Sequence, residues 1–156
     1  MPKVYLILDN IRSVQNVASI FRTAEGAGVA RIFLAGVTPA PTDRFGRMRR
    51  DFAKVALGAE NLVEWEQVPS AEAAIHNLKG AGVEIIALEQ SAAALHFKEV
   101  RPTKSFALLL GEETQGLPES TLKLCDIICQ IPMRGEKESL NVSVAAGIAL
   151  FQLLNI

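Results

Sequence analysis

The chain has 156 residues, enough for one domain with a sizeable core. Its 49% hydrophobic and 21% charged residues are ordinary for a cytosolic globular protein. A net charge of −1 speaks against a uniformly basic nucleic-acid binder, so any basic surface has to be local.

Met1-Pro2-Lys3 runs straight into an apolar stretch, Val4 to Leu8, with no signal-peptide core, which points to a cytoplasmic protein. A continuous run of this length fits a strand covered on both faces. Asp9 to Gln15 reads as a loop and Asn16 as an N-cap, followed by Val17, Ile20, Phe21 and Ala24 at helical spacing. Gly26-Ala27-Gly28 closes that helix. Arg22 stands off the apolar stripe, and by spacing alone it reads as a solvated helix arginine.

Ile32 to Ala35 is a second strand. The loop from Gly36 to Arg50 carries Arg44, Arg47, Arg49 and Arg50, interleaved with Phe45 and Gly46. These guanidinium groups suit either phosphate contacts or a plain solvated face. A short helix over 51–57 stops at Gly58, and Leu62 to Val68 follows as a strand. Pro69-Ser70 caps a helix through Leu78, closed by Gly80 and Gly82. Val83 to Leu88 and Phe106 to Leu110 are further strands, joined by a linker over 92–104 that contains Pro102.

A last strand over 127–131 halts at Pro132, which cannot donate to a ladder. Gly135 lies in the polar loop beyond it, and a helix begins near Ser139 or Asn141. From Val142 to Leu154 that helix is apolar almost all round, so it should be buried on two sides, by its own sheet and by a second copy of the chain, with simple core burial as the alternative. The run is too short for a membrane span. Strand and helix alternate throughout, which predicts a single α/β domain over 1–156, with a mostly parallel sheet and helices on both faces. Cys125 and Cys129 read as buried free thiols, and His76 and His96 as ordinary histidines; no metal site is expected.

Gly111-Glu-Glu-Thr-Gln-Gly116-Leu-Pro118 lacks the Lys-Ser/Thr pair of a phosphate loop. Gly26-Ala27-Gly28 follows a helix and precedes a strand, the reverse of a dinucleotide fingerprint. A hydrolase triad, a zinc set and a HExxH pattern are also missing. Two loops remain, 111–118 and 132–140, both expected at the C-terminal edge of the sheet where open α/β folds bind ligands. Their apolar walls (Leu117, Ile131, Met133, Leu140) and few polar groups suit a neutral-to-cationic, partly apolar cofactor better than a polyphosphate.

Three segments, Asn16-Val-Ala-Ser-Ile-Phe-Arg22-Thr-Ala24, Leu110-Gly-Glu-Glu-Thr-Gln-Gly-Leu117 and Ile131-Pro-Met-Arg-Gly…Ser139-Leu-Asn-Val-Ser143, resemble the three motifs of the TrmH (SpoU) RNA 2′-O-ribose methyltransferases of the SPOUT class. The resemblance spans Val4 to Leu154, the minimal catalytic domain. It implies a deep C-terminal trefoil knot, whose loops bind S-adenosylmethionine largely through backbone groups, and a homodimer joined through the C-terminal helix. Carried onto this chain, it implies cofactor contacts at Leu88, Gly111, Ile131, Met133 and Leu140. Arg22 is implied to activate the ribose hydroxyl, with Asn16, Glu113, Ser139 and Asn141 at the other polar motif positions. Asn16 and Asn141 would orient Arg22 and the loops, Glu113 would pair with Arg22 or solvate its loop, and Ser139 would touch cofactor or RNA or cap the helix. The substrate would be tRNA or rRNA, with a compact target such as tRNA favoured and Arg44, Arg47, Arg49 and Arg50 as phosphate contacts. The competing readings are a non-catalytic RNA-binding dimer, a SPOUT base methyltransferase and a small-molecule α/β enzyme.

Overall fold

The computed structural model describes residues 1–156. Seven strands form one sheet: β1 (Val4–Asp9), β2 (Arg31–Ala35), β3 (Glu64–Val68), β4 (Glu84–Leu88), β5 (Leu95–His96), β6 (Phe106–Leu110) and β7 (Ile127–Gln130). Their order is β3-β2-β1-β6-β4-β7-β5, and every pairing is parallel. Five helices accompany them: α1 (Val14–Ala27), α2 (Arg50–Ala56), α3 (Ala71–Gly80), α4 (Glu119–Leu122) and α5 (Val142–Leu154).

The apolar runs divide between two cores because successive strand side chains point to opposite faces. On β1, Leu6 and Leu8 join the larger core under α1, α2 and α5, while Ile7 joins the smaller one with Ala71, Ile75 and Leu78 of α3. On β6, Phe106, Leu108 and Leu110 face the larger core, and Ala107 and Leu109 the smaller. Helices on both faces therefore account for strands without polar alternation. Phe21 of α1 and Phe52 of α2 meet edge-to-face, with ring centroids 5.1 Å apart, and both are fully buried.

Three expectations need correction. The first helix starts at Val14, and its N-cap is Ser13, three residues before Asn16, whose N–H the Ser13 hydroxyl accepts at 3.1 Å. A serine hydroxyl reaches the N3 amide as well as an asparagine does, and the shift leaves the Asn16 side chain free for other partners. The linker over 92–104 is partly ordered into β5 and a 3₁₀ turn, Phe97–Glu99, because Phe97 and Val100 are buried. Elements this short carry no readable period. The four-residue helix α4 follows the loop after β6, where the sequence suggested none. Within a single chain, α5 buries one face and leaves another exposed. Val142, Ala146, Ala149, Leu150 and Leu153 are buried, whereas Val144, Ile148 and Phe151 are 51%, 41% and 37% exposed.

No helix is long and apolar enough to cross a membrane. Cys125 and Cys129 are free thiols, both pushed up to about 11 by burial, Cys125 also by the neighbouring Asp126 carboxylate. Truncating Phe21 to alanine should remove about 3–5 kcal/mol of stability, because it empties a fully buried aromatic site. Urea unfolding of the variant beside the parent chain measures the loss.

Candidate active site

Because all strands are parallel, the loops after β1, β2, β4, β6 and β7 leave from one edge of the sheet. Three of those loops enclose a cleft of about 270 Å³. Its floor is built from the ends of β4, β6 and β7, Leu88, Leu110 and Gln130, and from Ile131 just beyond β7. The segment 111–116 forms one wall, and Glu138, Ser139, Leu140, Val142 and Ala145 form the other.

The wall after β6 is backbone packed tightly on itself. A Cβ at Gly111 would lie 2.8 Å from the Gly116 carbonyl carbon and from Leu117 Cγ, so nothing larger than glycine fits without displacing the loop. Gly116 takes φ +68°, and a Cβ there would run into the Glu89 carboxylate. Gly111 is thus required for space alone, and Gly116 for both space and conformation.

Side chains from neighbouring loops fix the walls. The Glu89 carboxylate accepts the Leu117 N–H and so closes the loop after β6, while the Gln90 side-chain amide donates to the Ile131 carbonyl at 2.7 Å and secures the loop after β7. Two adjacent residues thus clasp both walls. A second tie comes from α1: Asn16 Nδ2 donates to Glu113 Oε1 at 3.1 Å, and Asn141 Nδ2 donates to Asn16 Oδ1 at 3.1 Å. Asn141 is also the N-cap of α5, its Oδ1 accepting the Ser143 and Val144 amides.

The ionisable residues lining the cleft are Glu89, Glu112, Glu113 and Glu138, with no lysine, arginine or histidine among the lining residues. Asp9, at the end of β1 and outside the lining, has its carboxyl pushed above the usual range, first by burial and then by the Glu72 and Glu112 carboxylates. Such a lining favours a cation and opposes a polyphosphate.

Of the residues expected at the cofactor, Leu88, Gly111, Ile131 and Leu140 line the cleft, and Met133 does not. Pro132 turns the chain before Met133, which is half-buried outside the lining. Among the polar motif residues, Glu113 and Ser139 line the cleft, and Asn16 and Asn141 join Glu113 in the hydrogen-bonded chain just described. Glu113 pairs with Asn16 and not with Arg22. Arg22 is exposed on α1, six residues beyond Asn16 and so about 9 Å further along the axis. It has no hydrogen-bond or ion-pair partner within the chain, and it does not line the cleft. Arg44, Arg47 and Arg49 lie on the loop after β2 and Arg50 opens α2, all outside the cleft; Arg47 pairs with Asp43 and Arg49 with Asp51, both at 3.1 Å. Sequence reasoning missed Glu89 and Gln90, although two polar residues directly after an apolar strand are a signal that they face the ligand edge.

The model of the SpoU rRNA Methylase family matches residues 3–151. The chain belongs to that family. It is 36% identical over 152 residues to a 23S rRNA (guanosine-2′-O-)-methyltransferase RlmB from Coxiella burnetii, covering 97% of this chain and 58% of the relative. It is 32% identical over 151 residues to the tRNA (guanosine(18)-2′-O)-methyltransferase of Escherichia coli K12, covering 97% and 62%. The crystal structure of an AdoMet-bound rRNA methyltransferase from Sinorhizobium meliloti superimposes with a TM-score of 0.88 at 28% identity, over 98% of this chain and 56% of that one. The chain thus spans about three fifths of the length of the curated relatives it matches. Family membership accounts for the match of fold and motif order, with the seven-stranded parallel sheet as the shared frame.

Replacing Glu89 with alanine frees the Leu117 amide and should raise hydrogen exchange across 112–117 by about tenfold, the loss of one charge-assisted hydrogen bond. Glu89→Gln, which keeps an acceptor oxygen, should restore much of the protection. Exchange followed by mass spectrometry reads both variants.

Proposed function

We propose that the chain is an S-adenosylmethionine-dependent RNA methyltransferase acting on a ribose 2′-hydroxyl of tRNA or rRNA. One observation carries the choice of cofactor: the ionisable residues lining the cleft are four glutamates, set beside apolar walls. S-adenosylmethionine bears a sulfonium and an ammonium against one carboxylate, so its net charge complements such a lining. Leu88, Leu110, Ile131 and Leu140 would take its apolar parts, and the backbone at Gly111 and Ile131 its polar edges. When bound, the cofactor supplies a methyl group already activated on sulfur.

The chain's own task is to bring the hydroxyl into line and assist loss of its proton. Arg22, permanently charged and unpaired within the chain, would hold the phosphate next to the reacting ribose and stabilise developing charge on its oxygen. The proton then leaves to phosphate or water. Asn16, Glu113 and Asn141 would hold the walls at the spacing the reaction requires, and Ser139 would face the bound ligands from the cleft rim. Arg44 and Arg50, which have no acidic partner, would supply phosphate contacts on the same sheet edge, with Arg47 and Arg49, paired to Asp43 and Asp51, beside them. An enzyme acting on tRNA or rRNA would work where its RNA is, in the cytoplasm.

The same reading includes the C-terminal knot and a homodimer. Support for the knot comes from β7 lying between β4 and β5, with α5 returning to pack on α1. Support for the dimer comes from Val144, Ile148 and Phe151, an exposed apolar stripe at i, i+4 and i+7 on α5.

Incubation with labelled S-adenosylmethionine and unmodified tRNA or rRNA, followed by nucleoside analysis, should yield a 2′-O-methylated nucleoside. A methylated base would favour the base-modifying relatives, and cofactor binding without transfer the RNA-binding dimer. Arg22→Ala should keep cofactor affinity in calorimetry yet lose about a hundredfold or more in turnover; unchanged turnover would remove Arg22 from the mechanism. Phe151→Glu should convert a sedimenting dimer to monomer, since it places a charge in the apolar stripe.

A further inference from the structure

We propose that the turn Asp43–Met48 docks an unpaired nucleotide of RNA, with Phe45 as the stacking platform and Arg44 and Arg50 as phosphate contacts; this rests on the RNA reading above. The starting observation is a large aromatic side chain left 66% exposed. Its ring carries guanidinium groups close by, with Arg44 Cζ 4.9 Å and Arg47 Cζ 5.0 Å from the ring centroid.

The turn that presents the ring is stiff. Asp43 Oδ1 accepts the Phe45 N–H at 2.8 Å and the Arg47 N–H at 3.0 Å, and Oδ2 accepts Arg47 Nε at 3.1 Å. Backbone bonds from Asp43 N–H to the Arg47 carbonyl and from Gly46 N–H to the Asp43 carbonyl close the ring of contacts, with Gly46 at φ +77°. Thr42 and Met48 pair across the base. Water disfavours an exposed phenyl ring, and holding it in one place costs further entropy. A rigid, exposed aromatic flanked by cations is a platform arranged before its ligand arrives.

The ligand class follows from charge and shape. Asp43 and Asp51 occupy Arg47 and Arg49, which leaves Arg44 and Arg50 without an acidic partner and free for phosphates. An exposed phenyl ring with guanidinium groups over it matches a base joined to its phosphates, the combination used for single strands. Paired A-form RNA hides its base faces within the stack, so the ring finds a partner in a loop or bulge. The turn leaves the C-terminal end of β2, on the same sheet edge as the cleft, and β2 lies two strands from β6, roughly 10 Å away. One RNA can therefore cover both.

The test uses the full chain with two probes of equal phosphate number, an RNA hairpin with an unpaired loop bearing 2-aminopurine and a fully paired RNA duplex. The parent protein should prefer the hairpin and quench the 2-aminopurine. Phe45→Ala and Phe45→Leu should both weaken hairpin binding about tenfold and abolish the quench, while Phe45→Trp preserves both. S-adenosylmethionine affinity, measured alongside, should be the same in all four proteins. No hairpin preference in the parent, equal losses on hairpin and duplex, or retention by Phe45→Leu overturns the proposal. A change of oligomeric state in Phe45→Ala without a change in RNA affinity also overturns it, making the turn a protein contact. Failure of the parent to bind S-adenosylmethionine instead strikes the methyltransferase reading, independently of the hairpin result.

Discussion

The Asn16 carboxamide accepts a hydrogen bond from Asn141 and donates one to Glu113, joining three parts of the chain that are far apart in sequence. The cleft depends on that bridge and on its counterpart at Glu89 and Gln90. Loops at the edge of a parallel sheet have no ladder to hold them, and each backbone group they bury must find a partner. Here the partners come from the loops next door. The consequence is a cleft whose walls are backbone and whose braces are side chains.

Much of the frame was readable because each interior strand is covered on both faces and shows as an unbroken apolar run. β1 and β6 are obvious for that reason, and the glycines and prolines between runs mark the connections. The strand order is different in kind. Nothing in the spacing of residues says that β6 inserts between β1 and β4, or that β7 lies beside β4. Resemblance supplied the expectation of a knotted topology where periodicity was silent.

The misses have physical reasons. Asn16 has all the credentials of a cap, but Ser13 has them too and stands earlier, so the better use of Asn16 is in tertiary contacts. The segment around Phe97 is ordered by burying two apolar side chains, a tertiary effect that local sequence does not announce. Glu89 and Gln90 escape notice because their role depends on which loops lie opposite them. Arg22 shows the reverse: a residue singled out by motif position lies on an open helix surface when a single chain is considered.

The hydrogen bonds that brace the cleft span sequence separations of 97 and 125 residues. Closing such long loops is entropically slow, and contacts of this kind form late on the folding path. No fragment lacking α1 or α5 can carry the complete brace. Ligand affinity is accordingly a report on the whole chain: a molecule that binds the finished cleft draws its stabilisation from the fully folded state and passes it to all of it. A nascent or partly unfolded copy is silent toward that ligand, which makes occupancy of the cleft a check on completed folding.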